Sequence, residues 1–245
     1  MARINDKRQF RGAIGNVVFK TLDGKEIVQS RPSRLKQTAG TKISSSEFQQ
    51  CSTWSRLLRE GLDPFLLGRT DSYMYRRFTG AFYNALQTNE ELPKGARTPL
   101  NADMTDLAGF EFNAHSPFEY YFTPPISAEL DEQRQVTISL PAFNPQADMH
   151  FAEHTHKAEL LLYVYATNLQ TNAALTEDYT VINLDQNTAL LSGINWTSCP
   201  MPEGCFILVC AKLMYYNVNK FSAKDYVNSS QLSPAVIVGA FRNGQ

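Results

Sequence analysis

Two stretches decide the fold: Glu159–Ala166 reads ELLLYVYA, and Cys205–Tyr216 reads CFILVCAKLMYY. Both are apolar on consecutive positions rather than on alternate ones, the signature of strands covered on both faces. Around them lie shorter runs with strand character, Val136–Leu140, Tyr179–Leu184 and Ala235–Phe241, separated by clusters of Asn, Asp, Ser and Pro. Phe110–Phe112 and Phe118–Phe122 instead alternate, as half-buried strands do. Short strands at such spacing predict a β-sandwich over residues 109–245.

Upstream the periodicity changes. Ser44 followed by Glu47 has the form of a capping box, with Phe48, Cys51, Trp54 or Ser55, and Leu58 at helical spacing and Gly61 as a closing residue. Asp63-Pro64 marks a break. A second helix is expected from Thr70 or Asp71, with Met74, Phe78, Phe82 and Leu86 on one face and Tyr73, Tyr75 and Tyr83 flanking it. An aromatic stripe of this kind belongs to a core. The helical segment thus covers 44–90, and the acidic, turn-rich stretch 91–108 reads as a linker.

The first 43 residues form a basic arm. In Ala13–Ser30, the run Ile14–Phe19 and the run Glu26–Gln29 flank Asp23-Gly24, a strong two-residue hairpin signal. Gly12 and Gly15 suggest a bulge or close backbone approach, and Arg31-Pro32 ends the second strand. A lone hairpin is marginal in water, so this one is expected to dock on its own chain or on a neighbour. The fold class is therefore mainly β with a helical insert (α+β): an N-terminal β-hairpin, two helices and a C-terminal immunoglobulin-like β-sandwich.

Charge is divided unevenly. Residues 1–42 hold ten Lys and Arg against three acids, a net of +7, and the remainder holds thirteen against twenty-one, a net of −8. Such an arm can bind an acidic neighbour or nucleic acid, or simply be solvated. The cations of this interaction arm are Arg3, Lys7, Arg8, Arg11, Lys20, Lys25, Arg31, Arg34 and Lys36.

The pattern Gly12-Ala13-Ile14-Gly15-Asn16-Val17-Val18, then Asp23-Gly24-Lys25, Ile27-Val28 and Arg31-Pro32, resembles the N-terminus of a Bacteroidota family defined as a domain of unknown function. The C-terminal layout is similar too: strands at Leu160–Tyr165, Tyr179–Leu184 and Cys205–Tyr216, with Pro200 in a loop. The resemblance implies a basic hairpin followed by helices and an immunoglobulin-like sandwich. It implies no activity and no catalytic residue.

Candidate chemistry is sparse. His150, His154 and His156 lie within seven residues, and in an extended chain they would share a face and could ligate zinc or another transition metal. Their spacing matches no fixed metal motif, and the flanking Asn144-Pro145 indicates a loop in which solvated histidines are the simpler reading. Cys199 and Cys205 lack CxxC spacing, and Cys205 and Cys210 fall in an apolar strand where cysteine serves as a small hydrophobe. No phosphate loop, dinucleotide fingerprint or nucleophile elbow occurs. The carboxylates at 111, 119, 129, 131 and 132 form no recognisable pair.

No apolar run reaches membrane-spanning length, the opening MARINDKRQF has no apolar h-region so that no secretory leader is expected, and four cysteines make no disulfide framework. The expectation is a soluble, non-enzymatic, cofactor-free protein, cytoplasmic or in a virion. It would be a homo-oligomer or a subunit of a larger assembly, and so a structural protein. Nucleic-acid association through the basic arm is one alternative. A carbohydrate- or protein-binding sandwich with Trp196 as platform is another.

Overall fold

The computed structural model describes residues 3–4, 10–22, 25–31, 37–169, 173–221 and 223–243. The chain divides into two compact units, Met1–Lys42 and Ile43–Gln245. The mainly-β, α+β composition expected from the sequence is what it adopts.

The first unit carries four strands, β1 (Arg3–Ile4), β2 (Phe10–Ile14), β3 (Val17–Leu22) and β4 (Lys25–Ser30), in one antiparallel sheet of that order. The hairpin expected around Asp23-Gly24 is present, with Leu22 opposite Lys25; the two turn residues lie outside the described residues. The run Ile14–Phe19 is not one strand. Ile14 pairs with Val17, and Gly15-Asn16 turn between them with Gly15 at φ +57°. A glycine at the first central position with positive φ suits the two-residue turn that matches strand twist. A hairpin thereby becomes a meander.

Helix α1 spans Ala39–Leu66. It begins earlier than the Ser44–Glu47 pattern suggests, because the Thr38 hydroxyl accepts the Thr41 N–H at 3.2 Å and acts as the cap. It also ends later than Gly61. Pro64 sits inside its last turn, where it has no N–H to offer the carbonyl four residues back, and only Phe65 and Leu66 follow it. Leu67 and Gly68 then take positive φ, at 56° and 64°, and stop the helix. The buried stripe is Glu47, Cys51, Ser55, Leu58 and Leu62, whereas Phe48 is exposed. Helix α2 (Met74–Gln87) buries Met74, Phe78, Phe82 and Leu86, the stripe foreseen.

The stretch 91–108, read as a linker, is part of the second unit's core: Ala102, Met104 and Leu107 are buried in it. Phe118–Phe122, read as a strand, is a short helix, α3 (Phe118–Tyr121). A four-residue spacing of phenylalanines satisfies both a period of two and one of 3.6, and here the second prevails. Another short helix, α4, covers Pro145–Asp148.

Two sheets complete this unit. The smaller is β5 (Ser127–Leu130), β6 (Val136–Leu140) and β9 (Ile194–Thr197), with β6 central. The larger runs β8 (Ala173–Asp185), β7 (Lys157–Asn168), β10 (Cys205–Asn217), and both β11 (Asp225–Tyr226) and β12 (Ala235–Asn243) pair with the far edge of β10. Backbone bonds from Gly109 and Phe112 to Ile237 and Ala235 cover the outer edge of β12.

Alternate residues of β7 and β10 serve two different cores. Tyr163, Tyr165, Phe206, Leu208 and Cys210 meet Leu58, Leu62 and Phe65 of α1 and Phe78, Phe82 and Leu86 of α2. Rings stack across this boundary, with Phe65 on Tyr163 at 5.1 Å and Phe82 edge-on to Phe206 at 6.2 Å. On the other face Leu160, Leu162, Val164, Ile207, Val209 and Ala211 pack on Val136, Ile138 and Leu140 of β6. The sandwich therefore acquires a third, helical layer, and the two long strands are covered on both sides as their composition requires.

Candidate interaction surfaces

The register of the first unit sorts its side chains. Opposed residues share a face and neighbours along a strand alternate. Phe19 lies between Gly12 and Val28, and Val17 lies between Ile14 and Ser30, while Ile4 faces Phe10. One face therefore carries Ile4, Phe10, Ile14, Val17, Phe19 and Val28 together with Thr21, Glu26 and Ser30, with the rings of Phe10 and Phe19 5.5 Å apart. Arg3, Arg11, Lys20 and Lys25 all fall on the opposite face, among Val18, Leu22 and Ile27.

Among the described residues the one acid on this face, Glu26, is turned back on the sheet, its carboxylate accepting the Phe10 N–H at 3.2 Å. Among the described residues of this unit none is buried. Ile4 is 63% exposed, Ile14 57% and Val28 59%. Arg31 ends β4 by donating its N–H to Asn16 at 2.6 Å. Of the remaining arm cations, Lys7, Arg8, Arg34 and Lys36 lie outside the described residues.

In the second unit the outermost strand of the large sheet is β8, thirteen residues long and, among the described residues, paired only with β7. Leu175, Tyr179 and Val181 are exposed on one of its faces. The Tyr179 N–H is taken by the carboxylate of Asp178, which also accepts the Cys199 N–H at 2.6 Å. A cleft of about 670 Å³ elsewhere is lined by Glu90, Glu91, Asp103 and Asp106, with Arg242 beside them.

The histidine trio does not converge. The chain turns at His154, whose φ is +59°, so the extended alignment that would place the three on one face is not formed. His150 Nδ1 lies 2.6 Å from the Tyr120 carbonyl, with its ring stacked on that tyrosine, and His156 Nδ1 meets the Gln186 side chain. Among the described residues no group of three or more His, Cys, Asp or Glu is placed to hold a metal. Trp196 is in strand β9 rather than a loop, and it is partly buried against the core between the sheets. None of the four cysteines is in a disulfide, and only Cys199 is exposed.

Two ionisable groups in the interior escape a reading of the sequence. Lys212 of β10 is 0% exposed and donates to the carbonyls of Phe65 and Leu66, at 2.8 and 3.1 Å. It closes the C-terminus of α1, where unsatisfied carbonyls favour a cation. Burial, with Arg69 nearby, lowers its pKa to about 8. The only sequence signal was a single charge within an apolar run. Glu111 accepts the Phe118 N–H at 2.9 Å, while its Oε2 is buried without a partner. Burial raises its carboxyl to about 7 against the pull of these N–H groups. Glu111 lines an open, mostly apolar depression of about 400 Å³ with Phe118, Phe122, Pro124 and Pro125.

Asp71 has a different role. Although burial works against its charge, the Ala114 N–H, the Arg77 side chain and the Tyr73 N–H hold its carboxyl below the usual range. It ties the start of α2 to the segment that follows the helices. Lys212 and Asp71 each have a structural task that their geometry accounts for. No nucleophile, base and oxyanion donor are brought together by any of them.

Compared with protein-family models, with curated proteins and with solved structures, the chain returns no match. Among the described residues, no helix is long and apolar enough to cross a membrane.

Proposed function

We propose that this chain is a non-enzymatic structural protein that self-associates through its N-terminal arm and its β-sandwich, as a cytoplasmic filament or virion subunit would. The observation that carries this reading is the contrast between the units. The second encloses two complete cores, whereas the first exposes its apolar side chains and buries none of its described residues. A small sheet without a core gains stability by covering that surface. The long outer strand β8 supplies a further edge suited to strand addition. Sedimentation velocity on the purified full chain in low salt tests the reading: concentration-dependent oligomers are expected, and a strictly monomeric species overturns it.

The segregation of Arg3, Arg11, Lys20 and Lys25 onto one face favours a second reading, nucleic-acid association through phosphate contacts. Such binding weakens steeply with salt as counterions are released. Filter binding should then show retention at about 50 mM salt that falls away on adding more, and no retention at that salt removes this reading.

A further inference from the structure

We infer that the outer seam between α1 and α2 binds single-stranded nucleic acid, its arginines meeting phosphates and its tyrosines stacking on bases. The inference concerns the second unit alone and does not depend on how copies of the chain associate.

The two helices run antiparallel along this seam, as three contacts show. The rings of Phe48 and Tyr83 meet edge to face at 5.3 Å, and the Ser55 and Thr79 hydroxyls lie 2.9 Å apart. Further on, the Arg59 guanidinium stands 5.9 Å from the centre of the Tyr75 ring. The series then continues past Tyr75. The Arg76 guanidinium lies 5.4 Å from the Tyr75 ring centre and 5.6 Å from that of Tyr73, and its Nε donates to the Tyr75 hydroxyl at 2.8 Å. From Tyr75 to Tyr83 the helix rises about 12 Å, a span that suits a few nucleotides.

Charge sets this surface apart. Residues 48–59 and 72–87 hold four arginines and no acid, whereas the rest of 43–245 holds nine cations against twenty-one acids. Arg77 is tied to Asp71, and Arg56 to Glu60. Among the described residues Arg59 and Arg76 have no carboxylate partner, and the Arg59 Nε is buried without a hydrogen bond. Glu60 and Asp63 line a depression beside Arg59 and bound the surface at that end.

The exposed rings choose the partner. Tyr73 is 64% exposed, and Phe48 and Tyr75 are exposed as well. An acidic protein segment would engage the arginines and leave these rings bare. A single strand presents phosphates and unstacked bases together, which is what rings and guanidinium planes in series can hold. In a duplex the bases cover one another, and the rings would find no free face. Stacking does not withdraw the arginines, because a guanidinium lying on a ring keeps N–H groups at its edge for a phosphate oxygen.

The test is fluorescence anisotropy on the full chain with a labelled oligothymidylate at about 50 mM salt. The wild type should bind, and Tyr75→Leu should weaken binding roughly fivefold or more, as the loss of one stack would. Arg59→Gln combined with Arg76→Gln should weaken it too, and should reduce the salt slope by about 1.4. Because the arm could also hold the strand, a cross-link on the wild type supplies a second readout. An oligonucleotide bearing iodouracil, irradiated in the complex, should attach to Tyr73 or Tyr75. Cross-links confined to the arm, with binding undiminished in the seam variants, overturn the inference and leave the arm's phosphate contacts standing. No binding at that salt overturns both. If the wild type binds no strand but the seam variants dissociate its oligomers, the surface takes an acidic neighbouring copy, and the inference is again overturned.

Discussion

Gly61 of α1 lies directly against Tyr165 of β7: a Cβ at position 61 would overlap the tyrosine hydroxyl and ring. This glycine is mid-helix, where alanine is normally worth about 1 kcal/mol more. It is retained for closeness, letting the helix approach the sheet. Gly61→Ala should therefore destabilise the fold by about 1–3 kcal/mol despite the better helix propensity. In urea denaturation, adding Tyr165→Phe should recover part of that loss, since the hydroxyl is the nearest obstacle. Equal stability of Gly61→Ala and wild type would contradict this packing.

Lys212 makes the stability depend on alkaline pH. Its folded pKa, about 8, lies below the ordinary 10.5. Between those values the unfolded chain holds the additional proton, so this residue's contribution to stability rises with pH across that window. The gain is at most about 3 kcal/mol, from 1.36 kcal/mol per unit. Buried thiols and tyrosines work in the opposite sense above about pH 9, so the informative quantity is the difference between wild type and Lys212→Met. That variant should lose the rise. It should also be less stable at high pH, where the Phe65 and Leu66 carbonyls lack their donor.

Glu111 acts at lower pH. Its folded pKa is raised from 4.5 to about 7, so the protonated form is favoured by folding. The stability it contributes is complete below the ordinary carboxyl value and is lost as pH rises through about 7. Glu111→Gln keeps an acceptor for the Phe118 N–H and removes the titration. Chemical denaturation from acidic to slightly alkaline pH should show a shallower decline in the variant. Parallel curves would rule out this group as the source.

Thiol reactivity should follow burial. Cys51, Cys205 and Cys210 are buried and Cys199 is exposed. Burial, with Glu47 nearby, pushes the Cys51 thiol up to about 12, and burial alone raises Cys210. Native protein should release one equivalent of chromophore from a disulfide reagent, and slowly, because burial and Asp178 also raise Cys199. Unfolded protein should release four. Rapid reaction of more than one thiol in the native state would show that the cores open.

Much of the second unit was legible because its signals are local. The strands β7 and β10 declare themselves by apolar residues at consecutive positions, and α2 by Met74, Phe78, Phe82 and Leu86. What escaped depends on distance or on register. The partners of Lys212 lie about 146 residues away in sequence, so nothing beside it foretells a helix terminus. Phe118 and Phe122 fit two periodicities, and only their packing, with ring centroids 5.6 Å apart, decides. Gly15-Asn16 hid a turn within what looks like a continuous strand. The two-faced character of the arm was invisible for the same reason. A slip of one residue would exchange its faces, and the pairing of Phe19 with Val28 is what assigns each side chain to its side.

Strand β10 has its neighbouring side chains committed to separate interiors, Phe206 and Leu208 to one, Ile207 and Val209 to the other. Removing a single residue from it would send every side chain beyond that point into the interior opposite to its own, in the same step. Such a strand can change over generations by exchanging one side chain for another, but its length is held by two interiors at once.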